Sequence, residues 1–360
     1  MMSPEERVAT WRTFGASEYV AAELAAYSEG GAADPRCPAE CPLPDEPFVD
    51  AWERYAAEAA TDGVEAVLSR AFVQLHFPIA AGMSGTGAYR AATKRGEWPA
   101  GEHAGHVFAR PDLLRIHLHP TAAGRIPVII AEHRPDFEAL VQRLTCRNEP
   151  APVPAAQGAC VIAGYVNWER VATLRSVTGA DLSQIANSRD QFQDRLIILS
   201  DGPYSNVPAA PLGVGEAEWR RVSLDIRLHH EAAHYFTRRA FGSMRNNLLD
   251  ELVADYMGIV AATGRYRADW FLRFMGLEAF PRYRAGGRLE NYRGNPPVSD
   301  PAFSVLQRAV PLVARTLEDY DRTNPLDVDN LPAVAARITA LTGAGLEELA
   351  SAPMTCGAAE

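Results

Sequence analysis

His230-Glu231-Ala232-Ala233-His234 sets two imidazoles four residues apart with a carboxylate beside the first. On an α-helix, residues four apart stand about 40° apart around the axis and one turn along it, so both rings can reach a single ion. Glu231 follows His230 by about 100° on the same broad face, where a carboxylate can meet a water held at a metal's open position. The spacing therefore predicts half of a zinc site together with its general base. A catalytic zinc usually takes three protein ligands and leaves the fourth position to water, and two histidines with a glutamate form one standard set. Further along, Leu248, Leu249, Leu252, Val253, Met257, Val260 and Ala261 recur at helical spacing up to Gly264. This predicts a helix over 247–263 with Glu251 and Asp255 on one face. Glu251 is the expected third ligand, and Asp255 is expected to accept the other ring N–H of His230 and so orient it.

The elements that must hold these groups are partly readable. Residues 216–240 contain neither Gly nor Pro and carry Val222, Leu224, Ile226, Leu228 and Phe236, so a helix is expected at least from about 226 to 240, although 223–228 also alternates like a strand. Taken together, His230, Glu231, His234, Glu251 and Asp255 resemble the gluzincin division of zinc metallopeptidases, whose pattern is H-E-x-x-H followed by E-x-x-x-D on the next helix. The resemblance is confined to 230–255. It implies a zinc cofactor, two histidine ligands, a glutamate base, a glutamate ligand and an orienting aspartate, in that order. Sixteen residues separate His234 from Glu251, a slightly shorter connection than in the peptidases of that group. A zincin-like fold also implies a sheet before and across the active-site helix. The apolar strand expected at 195–200 and the loop at 201–206 would then shape the cleft, with Tyr204 as an oxyanion or substrate donor.

Other readings of the same residues remain open. Glu231 could be merely solvated and Glu251 paired to an arginine such as Arg245. Glu231-x-x-His234 is also half of a dinuclear carboxylate site, but such sites need a second E-x-x-H and the sequence has none. His229 is read as a hydrogen-bonded helix residue, with substrate contact as its sharper alternative.

At 360 residues and 47% hydrophobic, the chain can bury one large core or two ordinary ones. The expected fold class is α+β, a zincin-like metallohydrolase core with helical N-terminal and C-terminal additions. Pro-rich 148–154 is the expected boundary, giving an N-terminal α+β region at 1–150 that could carry specificity and a catalytic domain at 151–360 with a helical C-terminal part. A net charge of −10 argues against nucleic acid or anionic membrane as partner. Lys94 is the only lysine among 35 basic residues, which together with abundant alanine fits a GC-rich bacterial coding bias. The first residues lack a basic segment followed by an apolar one, and no run approaches the length of a membrane span, so a cytoplasmic location is expected. Five scattered cysteines do not form a disulfide framework and are expected to be reduced; Cys37 and Cys41 are a weak pair for a structural zinc.

Along the chain, 4–29 and 46–75 read as helices. The glycines of 82–87 could let a backbone approach a ligand, but no Gly-Lys-Ser/Thr follows, so the segment reads as an ordinary or substrate-lining loop. Residues 113–119 alternate as a strand, with Arg115, His117 and His119 on one face, and Gly124 turns it into 126–131 as a hairpin. His117 and His119 are read as facing water, with an anionic substrate as the sharper alternative. A helix at 135–145, a strand at 159–164, a helix at 168–176, a strand at 194–200 and helices at 267–276, 301–320 and 331–350 complete the expectation. The expected reaction is zinc-assisted hydrolysis of an amide or peptide bond in a small peptide or small molecule. A metal-dependent lyase or hydrolase of a small metabolite and a non-enzymatic protein with a vestigial site are the competing readings.

Overall fold

The structure, a computed structural model, describes residues 2–29, 35–98, 107–179, 191–242 and 247–351. It is a mixed α+β protein, mostly helical, with one small four-stranded sheet. The chain forms two compact units: Pro44–Asn206, which holds the sheet, and Met1–Leu43 with Val207–Glu360, which holds the H-E-x-x-H segment. This division differs from the one expected at 150. The first 43 residues belong with the C-terminal half, and Pro-rich 148–154 lies inside the sheet unit. There Asn148 is fully buried, and its side-chain amide donates to the carbonyls of Gln74 at 3.0 Å and Phe77 at 2.9 Å.

In the sheet unit the strands are β1 (Leu114–His119), β2 (Ile126–Ala131), β3 (Ala159–Val166) and β4 (Gln193–Leu199). Their order is β1-β2-β4-β3; β1 pairs antiparallel with β2, β2 parallel with β4, and β3 antiparallel with β4. Each residue of β2 is buried, which fits its continuous apolar run Ile-Pro-Val-Ile-Ile-Ala and its place between two neighbours. Helices Val49–Asp62, Val64–Ala71 and Arg134–Leu144 close the core, with Trp52, Phe72, Phe137 and Ile198 buried in it. The core also takes in charge. Asp194 is fully buried, accepts from Trp52 Nε1 at 2.8 Å and Asn167 Nδ2 at 2.9 Å, and is paired with Arg170.

In the other unit the H-E-x-x-H residues belong to one helix, Glu216–Phe241. Its continuity follows from the absence of Gly and Pro, from Glu216 and Glu218 in the first turn, and from Arg238 and Arg239 in the last, where each sign of charge suits the helix dipole. Trp219, Val222, Ile226, His230, Ala233, His234 and Thr237 form its buried stripe at helical spacing, so the strand-like alternation at 223–228 loses to the longer 3.6-residue period. The next helix, Asn247–Thr263, has the expected bounds and is buried nearly all round. The two run against each other at one very close point: a Cβ on Gly258 would stand 2.6 Å from the carbonyl oxygen of Ile226. Gly258 lies three residues past Asp255 and Ile226 four before His230, so this approach sets the spacing of the site.

A prediction follows from that contact. In an exposed helix interior, Gly→Ala stabilises by about 0.5–1 kcal/mol. Gly258→Ala should reverse the sign and cost about 1–3 kcal/mol, the usual price of overpacking, measured by urea denaturation. A stabilised variant would mean that the helices do not need this approach.

The helix pair is held in place by other helices rather than by a sheet. Among the described residues this unit contains no strand, so the sheet expected across the active-site helix belongs to the other unit. Tyr256 donates to Asp321 at 2.6 Å and receives Arg337, which ties the second helix to Asp300–Thr323 and Leu331–Ser351. The N-terminal helices, Pro4–Thr13 and Glu18–Ser28, join the same unit, where Trp11 Nε1 donates to Glu347 at 2.9 Å. Among the described residues no helix is long and apolar enough to cross a membrane.

Candidate metal centre

His230, His234 and Glu251 meet as one cluster of metal-ligand type, the only one among the described residues. His230 Nε2 and His234 Nε2 are 3.0 Å apart, His230 Nε2 and Glu251 Oε2 3.4 Å, and His234 Nε2 and Glu251 Oε1 3.6 Å. Ligand atoms placed tetrahedrally about 2.0–2.1 Å from a zinc stand roughly 3.3–3.4 Å from one another. The separations lie near that value, with the two to Glu251 running to its two different carboxylate oxygens. Behind His230, Asp255 Oδ1 lies 2.9 Å from Nδ1, which places the ring proton on Nδ1 and leaves the Nε2 lone pair facing the cluster. For His234, the nearest carboxylate to Nδ1 is Asp250 Oδ1 at 3.3 Å, too poorly aligned to count as a hydrogen bond. His234 Nε2 has His230 Nε2 as its 3.0 Å neighbour while its buried Nδ1 has no hydrogen-bond partner, a pairing of two ring nitrogens that a shared cation would replace. The donor set thus fits zinc.

Both histidines are buried, with 6% and 8% of their surfaces exposed. Burial opposes a charged imidazole, yet the carboxylates of Asp250 and Glu251 together hold the pKa of His234 well above the ordinary histidine value. Burial likewise opposes ionisation of Glu251, but His234, His230 and Arg288 hold its pKa far below the ordinary carboxylate range. Asp255 is also lowered against its burial, chiefly by Arg288 and His230. The cluster therefore keeps its carboxylates ionised at neutral pH.

The sequence reading missed two supports. Arg288 donates to Glu251 Oε2 at 2.9 Å and to Asp255 Oδ1 at 3.2 Å, and Tyr292 donates its hydroxyl to the same Oε2 at 2.9 Å. Arg288 in turn donates to the Tyr292 hydroxyl, and Tyr27 of the N-terminal helices donates to the Tyr292 carbonyl at 2.5 Å. Arg288 and Tyr292 lie in the short helical turn Arg288–Tyr292. Gly287, just before it, crosses so close to Gly276 that a Cβ there would stand 2.6 Å from the Gly276 Cα. The pair Gly286-Gly287 was the only local signal for this turn.

The remaining expected residues fall as follows. Glu231 is half-buried on the same helix and has no hydrogen bond or ion pair among the described residues, so its carboxylate is available. Arg245, offered as a partner of Glu251, lies outside the described residues; the arginine found there is Arg288. His229 is outside the cluster; burial lowers its pKa, with Asp329 acting against. Tyr204 is buried in a short turn, Tyr204–Asn206, that closes the sheet unit, and is not part of the His-His-Glu cluster. His117 and His119 lie on β1 with ring centres 6.4 Å apart, and burial lowers the pKa of His117. Cys37, Cys41, Cys146 and Cys160 are free thiols, and Cys37 and Cys41 have no third ligand-type side chain grouped with them among the described residues. Cys356 lies outside the described residues.

Neither the curated proteins nor the solved structures yield a match to this chain. One family model matches residues 9–353, nearly the whole length and so both units. The chain belongs to the family described as Family of unknown function (DUF7005).

Proposed function

We propose that this protein is a zinc-dependent hydrolase of gluzincin-like design, acting on an amide or peptide bond of a small substrate. The observation that carries the reading is the convergence of His230 Nε2, His234 Nε2 and one Glu251 carboxylate at near-tetrahedral spacing, with Asp255 behind His230. Bound zinc would supply Lewis acidity, polarising a carbonyl and lowering the pKa of a water. His230, His234 and Glu251 would hold it. Asp255 keeps the proton of His230 on Nδ1, while Arg288 and Tyr292 restrain Glu251 through Oε2. Glu231, next to a ligand and free of partners, takes a proton from water and returns it to the leaving amine. The burial of both histidines favours a small peptide or an amino-acid-derived metabolite over bulk protein. The experiment is metal analysis of the purified protein, followed by turnover profiles of peptide libraries and such metabolites with and without a chelator. Chelator-sensitive turnover with one zinc per chain is expected; a chain that takes up no zinc would end the proposal.

Acid should strip the metal. His234 has a raised pKa in the metal-free fold, so its contribution to that fold is complete below the ordinary histidine value of about 6.5 and is lost as pH rises through the higher folded value. Glu251 and Asp255 have depressed values, so theirs is present above the ordinary carboxylate range and lost as pH falls. A metal needs His234 deprotonated, so zinc affinity should climb as pH rises through the region above about 6.5. Competition with a chromophoric chelator across pH 5.5–8.5 measures this, and an affinity flat over that range would exclude His234 as a ligand.

A further inference from the structure

We propose that the sheet unit carries a second binding site, one for a compact polyanion: a small molecule with two or more phosphate or carboxylate charges. The site is a cavity of about 510 Å³, within the usual size range for small-molecule pockets, lined by Arg90, Lys94 and Arg147 with Ser84, Tyr89 and Thr93. Three features single it out.

The first is an excess of positive charge. Elsewhere in this unit Arg54, Arg110, Arg115, Arg125 and Arg170 each hold a carboxylate. Among the described residues no carboxylate lies within ion-pairing distance of Arg90, Lys94 or Arg147. In a chain of net charge −10, three cations on one cavity, against the single carboxylate of Glu149 held at Ser84, are a local reversal of sign, and one of them is the only lysine. Arg90 and Lys94 stand four apart on the helix Gly87–Arg95 and so share a face.

The second is the backbone. Arg147 and Asn148 both have positive φ, 56° and 59°, a conformation that costs a non-glycine residue of order 1 kcal/mol and persists only where the surroundings enforce it. Here the buried Asn148 amide enforces it through the carbonyls of Gln74 and Phe77. Glu149 is held on the other side: its carboxylate accepts from the backbone N–H of Gly82 at 2.8 Å and of Ser84 at 2.9 Å. The glycine-rich loop at 82–87 thus uses two amides to fix an internal carboxylate, which anchors the turn that presents Arg147.

The third is the sheet. The β3–β4 register shifts between Ala163 and Tyr165, leaving Gly164 opposite no residue, and Ala163, Gly164 and Tyr165 all line the cavity. Bulges of this kind interrupt the ladder and re-aim side chains beside binding sites. Tyr165 is fixed by its hydroxyl hydrogen bond to Gln74 Oε1 at 2.8 Å, which makes a rigid wall.

Isothermal titration of the full-length protein with inorganic pyrophosphate, and separately with citrate, tests the site. Saturable binding of at least one, tighter than about 1 mM, is expected, and the stronger of the two names the anion class. Arg90→Gln and Arg147→Gln should each weaken it at least about 10-fold, the scale of one charged hydrogen bond. Arg175→Gln removes the same charge from the helix Trp168–Thr178 without touching the cavity and should leave affinity within about twofold. All three residues are exposed, so melting curves should coincide with that of the unaltered protein. Three results would each overturn the proposal: no saturable binding of either anion, equal weakening by Arg175→Gln, or binding that survives both cavity substitutions and hence belongs to another site.

Discussion

Glu231→Gln is expected to keep its zinc and lose its turnover. The substitution preserves the shape and the helix while removing only the ability to accept a proton. Glu231 is half-buried and has no ion pair or hydrogen bond among the described residues, so nothing in the fold depends on its charge. A change at such a position usually falls within about 0.5 kcal/mol of neutral in stability. General acid–base catalysis contributes typically about 10²–10⁴-fold, and a loss of that size in kcat with metal content unchanged is the expected signature. The measurement pairs metal analysis with turnover of whichever substrate the unaltered protein accepts. Turnover equal to that of the unaltered protein would remove Glu231 from the chemistry, and loss of the zinc along with the turnover would make it a structural residue.

The second large effect is expected at the ligands. Loss of an outer carboxylate or hydrogen-bond partner typically costs about 10–100-fold in metal affinity, so removal of a direct ligand should cost more. His234→Ala and Glu251→Gln are each predicted to exceed 100-fold on that scale, and Asp255→Asn to stay within it. The ordering matters more than any single value, because it separates a metal centre from a buried ion-pair cluster. Glu251→Gln is preferred to Glu251→Ala here: Arg288 and Tyr292 both donate to Glu251 Oε2, and truncation would strand a mostly buried guanidinium. Breaking a buried pair from one side costs about 3–5 kcal/mol, enough to confuse metal loss with unfolding. Equilibrium dialysis against zinc at fixed pH gives the affinities. Equal zinc content in His234→Ala and in the unaltered protein would remove the ligand assignment.

Much of the site could be read without coordinates because it rests on short-range periodicity. The spacing of His230, His234, Glu251 and Asp255 is meaningful only on helices; the first run lacks Gly and Pro, and the second keeps its apolar period through its one glycine, Gly258. The second helix has the expected bounds, Asn247–Thr263, and the first extends further toward its N-terminus than the central motif required. The hairpin of β1 and β2 was legible for the same reason, since alternation and a glycine turn are local.

Longer range decided the rest. Arg288 and Tyr292 come from a five-residue turn with no amphipathic period, so no pattern could have paired them with Glu251, nor Tyr27 with Tyr292 from 265 residues away. Tertiary packing also joined the first 43 residues to the helical unit and separated the sheet from the helix that bears the histidines. Pro-rich 148–154 misled because proline reports a local restriction of φ, whereas a domain boundary depends on which distant surfaces the flanking residues bury. By itself, then, the sequence determined the identity and helical register of the ligand-type residues. Only the fold decided that the Glu251 carboxylate stands 3.4 Å from His230 Nε2 and 3.6 Å from His234 Nε2, because the two helices approach closely enough where a glycine, Gly258, lies against the backbone of Ile226 thirty-two positions earlier in the chain.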